Sequence, residues 1–207
     1  MYTFYIRASA STSHLGKEVP LFNESPPLYF EYLSVRLGNY VIEGRELLMD
    51  ENVEKIKTCL FAIHGARSDY NKLNPVLYPL QRLGVPSLSF NLSGHSLISG
   101  VELKSTSLNK NLEESLHFFG SKKMPIRNIL GSSLGGALAL KVAEVHKSSV
   151  ERIVLLAPAL YTEEAYKVPF GAKFKAVISS PFGFLDSKSL SFLKTFKGKV
   201  LLVTGRV

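Results

Sequence analysis

Only one cysteine, Cys59, stands among the 207 residues, so the chain can close no internal disulfide and offers no clustered thiolate metal site. Cys59 lies in the apolar run Cys59-Leu60-Phe61-Ala62-Ile63, where a free thiol acts as a small buried hydrophobe. Long apolar runs are also missing. Those around Leu60 and Val154 extend for about five to eight residues, against the roughly 20 that cross a bilayer, so no membrane span is expected. Met1 to Ser13 carry only Arg7 and no apolar core of signal-peptide length, which argues against a cleaved export signal and for a cytoplasmic address. Basic residues give a formal net charge of +8 but lie scattered, at Lys122-Lys123 and from Lys167 to Lys199, without a run of five like charges. With no aromatic interleaving and no nucleic-acid motif, this reads as a solvated basic surface and no nucleic-acid partner is expected. An acidic or acyl-anion substrate is compatible with it.

What is present is a chain long enough for one well-buried core, with 45% hydrophobic residues. Residues 1–27 are rich in Ser and Thr and close on Pro26-Pro27, so they read as an N-terminal extension to a domain spanning 28–207. Leu28 to Leu48 alternates apolar and polar residues on either side of Leu37-Gly38-Asn39, the pattern of a β-hairpin. After Lys57 the texture changes to short continuous apolar runs: Cys59 to Ile63, Ser87 to Phe90, Asn128 to Leu130, Ile153 to Leu156 and Val200 to Val203. Strands buried on both faces have this composition. Between them Leu73, Val76, Leu77, Leu80 and Leu83 recur at helical spacing, as do Leu108, Leu112, Leu116 and Phe119, and then Leu138, Val142 and Val145. The alternation predicts an α/β fold: a mostly parallel central sheet with helices on both faces and ligands at the carboxyl ends of the strands. Residues 160–196, with Tyr161, Tyr166, Phe170, Phe174, Phe182 and Phe184, form an insertion too long for a simple connection. It is either a small helical lid or a surface-packed insertion.

The most specific motif is Gly131-Ser132-Ser133-Leu134-Gly135, at the passage from a buried strand into a small, helix-forming run. In a G-x-S-x-G turn the serine occupies a strained strand-to-helix corner, and only small residues two places away let the chain bend so tightly. The register selects Ser133, because Ser132 would need Leu130 and Leu134 at the small positions.

Three further segments fall in a telling order: Ile63-His64-Gly65-Ala66 and Phe90-Asn91-Leu92-Ser93-Gly94-His95-Ser96 each end a predicted strand, and Leu155-Leu156-Ala157-Pro158-Ala159 follows the strand after the serine helix. Together with the serine motif they resemble the α/β-hydrolase superfamily, within it the lysophospholipase-like and serine-aminopeptidase-like esterase branch. The resemblance implies a serine hydrolase acting on a small-molecule carboxylic ester or similar acyl substrate, with no metal and no organic cofactor. It implies Ser133 as nucleophile, the backbone N–H groups of Ala66 and Leu134 as oxyanion donors, and Gly65, Gly131 and Gly135 as positions that permit close approach. His64 would shape the oxyanion loop and His95 would stabilise its own loop. Arg67, Ser68 and Asp69 could line an acyl or head-group pocket, and Asn91 replaces the acidic residue usual at its place.

By the same resemblance the acid and histidine of the triad are expected beyond the Lys199 to Thr204 strand, and the final strand and helix of the fold are expected to be missing from these 207 residues. Glu163 and Glu164 could supply only a displaced carboxylate. The favoured explanation is a truncated version of a longer hydrolase. The alternative is a catalytically incomplete remnant that serves as a binding module, and an acyltransferase or thioesterase is a third possibility. In either case Val200 to Val203 would be an exposed sheet edge open to self-association.

Overall fold

Along β4 (Cys59–Ile63) side chains alternate between two apolar layers: Phe61 and Ile63 face one, Leu60 and Ala62 the other. A period-2 chain buried on both faces must be covered by helices on both sides, and the computed structural model, which describes residues 3–9, 29–49, 58–96, 99–121 and 125–205, has that arrangement. The other strands are β1 (Thr3–Ser9), β2 (Tyr29–Leu37), β3 (Tyr40–Leu48), β5 (Ser87–Phe90), β6 (Ile126–Ser132), β7 (Arg152–Leu156) and β8 (Lys199–Val203). They form one eight-stranded sheet in the order β1-β2-β3-β5-β4-β6-β7-β8. The run from β5 to β8 is parallel, and β1, β2 and β3 add antiparallel pairings at one side. The hairpin turns at Gly38, whose φ of 62° suits a residue without Cβ. The strand β1 falls inside the stretch read from sequence as an extension.

Helix α1 (Asn74–Arg82) covers one face through Leu77 and Tyr78. Helices α2 (Leu108–Gly120) and α3 (Leu134–Val145) cover the other. There Phe90 stacks between Phe61, at 5.6 Å, and Phe118, at 4.6 Å. Two residues of the predicted helical stripes lie outside the core: Leu83 and Val145 are exposed where α1 and α3 end. In α2 the buried face holds Asn111, Glu114 and Ser115 as well as Leu108, Phe118 and Phe119, while Leu112 and Leu116 are half-buried.

Arg45 of β3 is enclosed where the hairpin meets α1. Its Nη2 donates to Asn74 Oδ1 at 2.6 Å, its Nη1 to Tyr78 Oη at 3.3 Å, and its guanidinium lies 4.6 Å from the ring centre of Tyr70. The insertion after β7 folds into α4 (Glu163–Lys167), α5 (Ala172–Ile178) and α6 (Lys188–Thr195). Tyr166, Phe170, Phe174 and Phe192 join the main core, and Lys141 of α3 binds Glu163 at 2.7 Å. At the far side, all four apolar side chains of β8 are exposed.

Candidate active site

Ser133 stands at the carboxyl end of β6, between the strand and α3, with φ 52° and ψ −118°. A residue bearing a Cβ is held there only by its surroundings. Its N–H donates to Leu156 O at 2.9 Å, and its carbonyl accepts from Gly136 N and Ala159 N, both at 2.9 Å. The side chain is exposed.

The glycines explain why the turn can be so tight. A Cβ on Gly131 would strike the carbonyl of Gly135 and the Ala139 side chain, and a Cβ on Gly135 would strike the carbonyls of Ile63 and His64. The start of α3 thus rests directly on the end of β4. That contact brings the β4 loop to the serine, since a Cβ on Gly65 would lie 3.3 Å from Ser133 Cβ and 3.9 Å from Oγ. Among the described residues no acceptor takes the backbone N–H of Ala66 or of Leu134. Leu134 N–H is free because it is the first residue of α3, where intrahelical partners are lacking.

His64 is fully buried with both ring nitrogens engaged: Nδ1 donates to Gly65 O at 2.7 Å and Nε2 accepts Leu92 N–H at 2.9 Å. An acceptor Nε2 fixes the neutral ring, and burial pulls the pKa down to about 4. His95 is held likewise. Its Nδ1 accepts Arg67 N–H at 3.2 Å, its Nε2 donates to Asn111 Oδ1 at 3.1 Å, and burial lowers its pKa to about 4. Neither ring has a nitrogen left for Ser133. Arg67 itself takes a left-handed φ of 52°, next to Ala66.

Behind His95 lies a polar network that the sequence did not announce. Asn111 Nδ2 donates to Glu114 Oε2 at 3.1 Å, which also receives Ser93 N–H at 3.1 Å, while Glu114 Oε1 accepts from Tyr40 Oη at 2.8 Å. Glu114 is buried on α2 and its carboxylate is satisfied by three donors. It sits in a helix whose leucine spacing reads as an ordinary amphipathic stripe, so only an acid on the core-facing side could have signalled it.

Other candidates have local duties. Asp69 Oδ1 accepts Asn71 N–H at 2.7 Å and caps a short turn, Ser68 Oγ donates to Asp69 O at 3.4 Å, and Asn91 Oδ1 accepts Tyr70 N–H at 3.0 Å. Glu163 is occupied by Lys141 and, at 3.8 Å, Lys188, and the hydrogen bond from Lys141 holds its carboxyl below the usual range. His146 stacks on Phe119 at the opposite end of α3 from Ser133. Among the described residues no group of three His, Cys, Asp or Glu side chains could hold a metal, and no helix is long and apolar enough to cross a membrane.

The chain is 26% identical over 105 residues to "Putative esterase/lipase 2" of Mycoplasma genitalium, a match covering 51% of this chain and 39% of that protein. It therefore spans well under half of that curated relative. In fold it is similar to the "Putative hydrolase from Agrobacterium vitis S4", with a TM-score of 0.59 at 18% identity over 87% of this chain and 91% of the other. It is also similar to the mouse alpha/beta hydrolase domain-containing protein 10, with a TM-score of 0.56 at 18% identity over 83% and 76%. The sheet and its flanking helices are those of the α/β-hydrolase fold. Residues 54–187, more than half of the chain, match the family described as serine aminopeptidase, S33. By fold and by that match, the chain belongs to the serine aminopeptidase S33 family of α/β-hydrolases.

Proposed function

We propose that the chain carries the nucleophile and oxyanion hole of a serine hydrolase acting on a carboxylic ester or related acyl compound. The observation that carries the reading is the strained, exposed Ser133 set between two unclaimed backbone donors, Ala66 N–H and Leu134 N–H, with Gly65 leaving room beside it. Ser133 Oγ attacks the acyl carbon, its proton passes to a base, and the carbonyl electrons move onto an oxygen held by the two amides. Collapse expels the alcohol with a proton and leaves an acyl-serine, which water then cleaves. Preorganised donors of this kind each lower the barrier by about 3 kcal/mol.

The base comes from outside the described histidines near the serine, because His64 and His95 have both nitrogens engaged. The insertion over residues 160–196 is anchored in the core close to the loop that carries His95 and does not need to move for Ser133 to be reached. Phe170 sets its ring edge to face with His95 at 4.8 Å, Phe174 packs on Phe170 at 4.8 Å, and Tyr161 lies 5.6 Å from Phe174.

A fluorophosphonate probe tests the reading on the longest natural reading frame that contains these 207 residues. Labelling should map to Ser133 and vanish in Ser133→Ala without loss of fold. A folded protein in which Ser133 stays unmodified would refute it.

A further inference from the structure

We infer that the outer rim of the insertion, Ile178, Phe182, Phe184 and Leu185 with Lys173 and Lys175 beside them, is a docking surface for an anionic lipid bilayer. Phe182 is 73% exposed, Leu185 61%, Phe184 48% and Ile178 45%, in a stretch of eight residues. Three of them sit together, since the rings of Phe182 and Phe184 are 6.5 Å apart and Leu185 N–H donates to Phe182 O at 2.9 Å, and Ile178 ends the helix that leads into them.

The patch is not a frayed end. On either side of it Phe174 and Phe192 are buried in the core, and Ser187 and Ser189 are buried beside it. The chain is thus fixed on both flanks while the aromatics between point outward. Phe182 moreover holds φ 59° and ψ 10°, a left-handed conformation that disfavours a bulky side chain and here presents the ring to solvent.

Charge decides between occupants. Residues 160–199 hold seven lysines against three carboxylates, Glu163, Glu164 and Asp186. Lys173 and Lys175 are exposed on α5, and Lys188 is exposed just past the patch. Protein interfaces are depleted in lysine, whereas segments that lie in a bilayer interface combine Phe and Leu with flanking Lys, the rings entering the acyl boundary and the ammonium groups meeting lipid phosphates. The insertion is too short and too polar to span, so this is attachment at one surface. The inference is independent of the catalytic reading, since attachment requires no reactive serine.

Sedimentation with lipid vesicles tests it, using phosphatidylcholine alone and phosphatidylcholine mixed with phosphatidylglycerol. The protein should sediment with the mixed vesicles and be released by salt. Phe182→Asn with Leu185→Ser should weaken partitioning about tenfold or more at unchanged melting temperature, asparagine being at ease in the left-handed region. Lys173→Glu with Lys175→Glu should abolish the preference for phosphatidylglycerol. Absence of vesicle binding by the folded protein overturns the inference. So does equal binding by the apolar double variant, or a wild-type dimer that this variant dissolves in the absence of lipid, which would assign the patch to a second copy of the chain.

Discussion

Arg67 N–H donates to Nδ1 of His95 across 3.2 Å, so a neutral imidazole holds the chain immediately after Ala66. The ring's one N–H, on Nε2, donates to Asn111 Oδ1, and Asn111 Nδ2 donates to Glu114, which ties the β4 loop to a carboxylate buried on α2.

Acid should loosen this arrangement. Both His64 and His95 are held near pKa 4 by burial, below the roughly 6.5 of an unfolded histidine. Between those values the unfolded chain takes up protons that the native chain refuses. Their contribution is therefore complete above about pH 6.5 and is lost as pH falls toward 4, by up to about 1 kcal/mol per pH unit for each group. Urea midpoints measured from neutral to mildly acid pH should fall accordingly, and His95→Gln should flatten the slope. A midpoint constant across that range would remove the argument.

The glycine contacts predict opposite outcomes for the same substitution. Gly135→Ala drives a methyl group into the carbonyls of Ile63 and His64 and should cost about 3 kcal/mol or more, or prevent folding. Gly120→Ala, at the end of α2 with open space around it, should stabilise by up to about 1 kcal/mol. Thermal melts compare the two directly.

Lys141 clasps the insertion to α3. Its side chain is 12% exposed while that of Glu163 is 38% exposed, so solvent screens part of the attraction and the global effect of Glu163→Gln should stay at or below about 1 kcal/mol. The local effect should be larger. Amide exchange in α4 should speed up relative to α3, and in the wild type the same loosening should appear as pH drops through the depressed pKa of Glu163.

Prepared as these 207 residues alone, the chain should self-associate through the β8 edge as its concentration rises. Replacing Leu202 by Lys places a charge on that exposed apolar strand, and sedimentation velocity should then show more monomer with a melting temperature changed little. If the wild type remains monomeric at high concentration, the edge is not sticky in the way its composition suggests.

Local signals carried much of the architecture. The five apolar runs are the five parallel strands: in four of them packing against both helical layers removes polar alternation, while β8 has the same composition but is exposed along its length, and the serine motif was readable because its glycines answer a purely steric demand. Other features depend on distant partners. Thr3–Ser9 begins with the strand-favouring run Thr-Phe-Tyr-Ile, but it is followed by a Ser- and Thr-containing stretch closing on Pro26-Pro27, and its place in the sheet is set only by pairing with β2. Leu83 and Val145 match their helical stripes in spacing yet lie at helix ends where the sheet no longer covers them. Asn111 and Glu114 look like a solvated helix face and are buried because the loop around Ser93 and His95 brings donors and an acceptor to meet them. The site is therefore legible where backbone strain governs it and hidden where buried hydrogen bonds do.

Arg45 gives the hairpin a fixed alignment. Its cross-strand partner is Tyr32, while the adjacent position, Gly44, pairs with Leu33 on the opposite face, against Phe118. Sliding β3 by one residue would turn a guanidinium that cannot lose its proton into the aromatic layer and withdraw Asn74 and Tyr78 from it. Burying a cation beside neutral acceptors gains little stability in itself, but it makes every neighbouring register of this hairpin unaffordable.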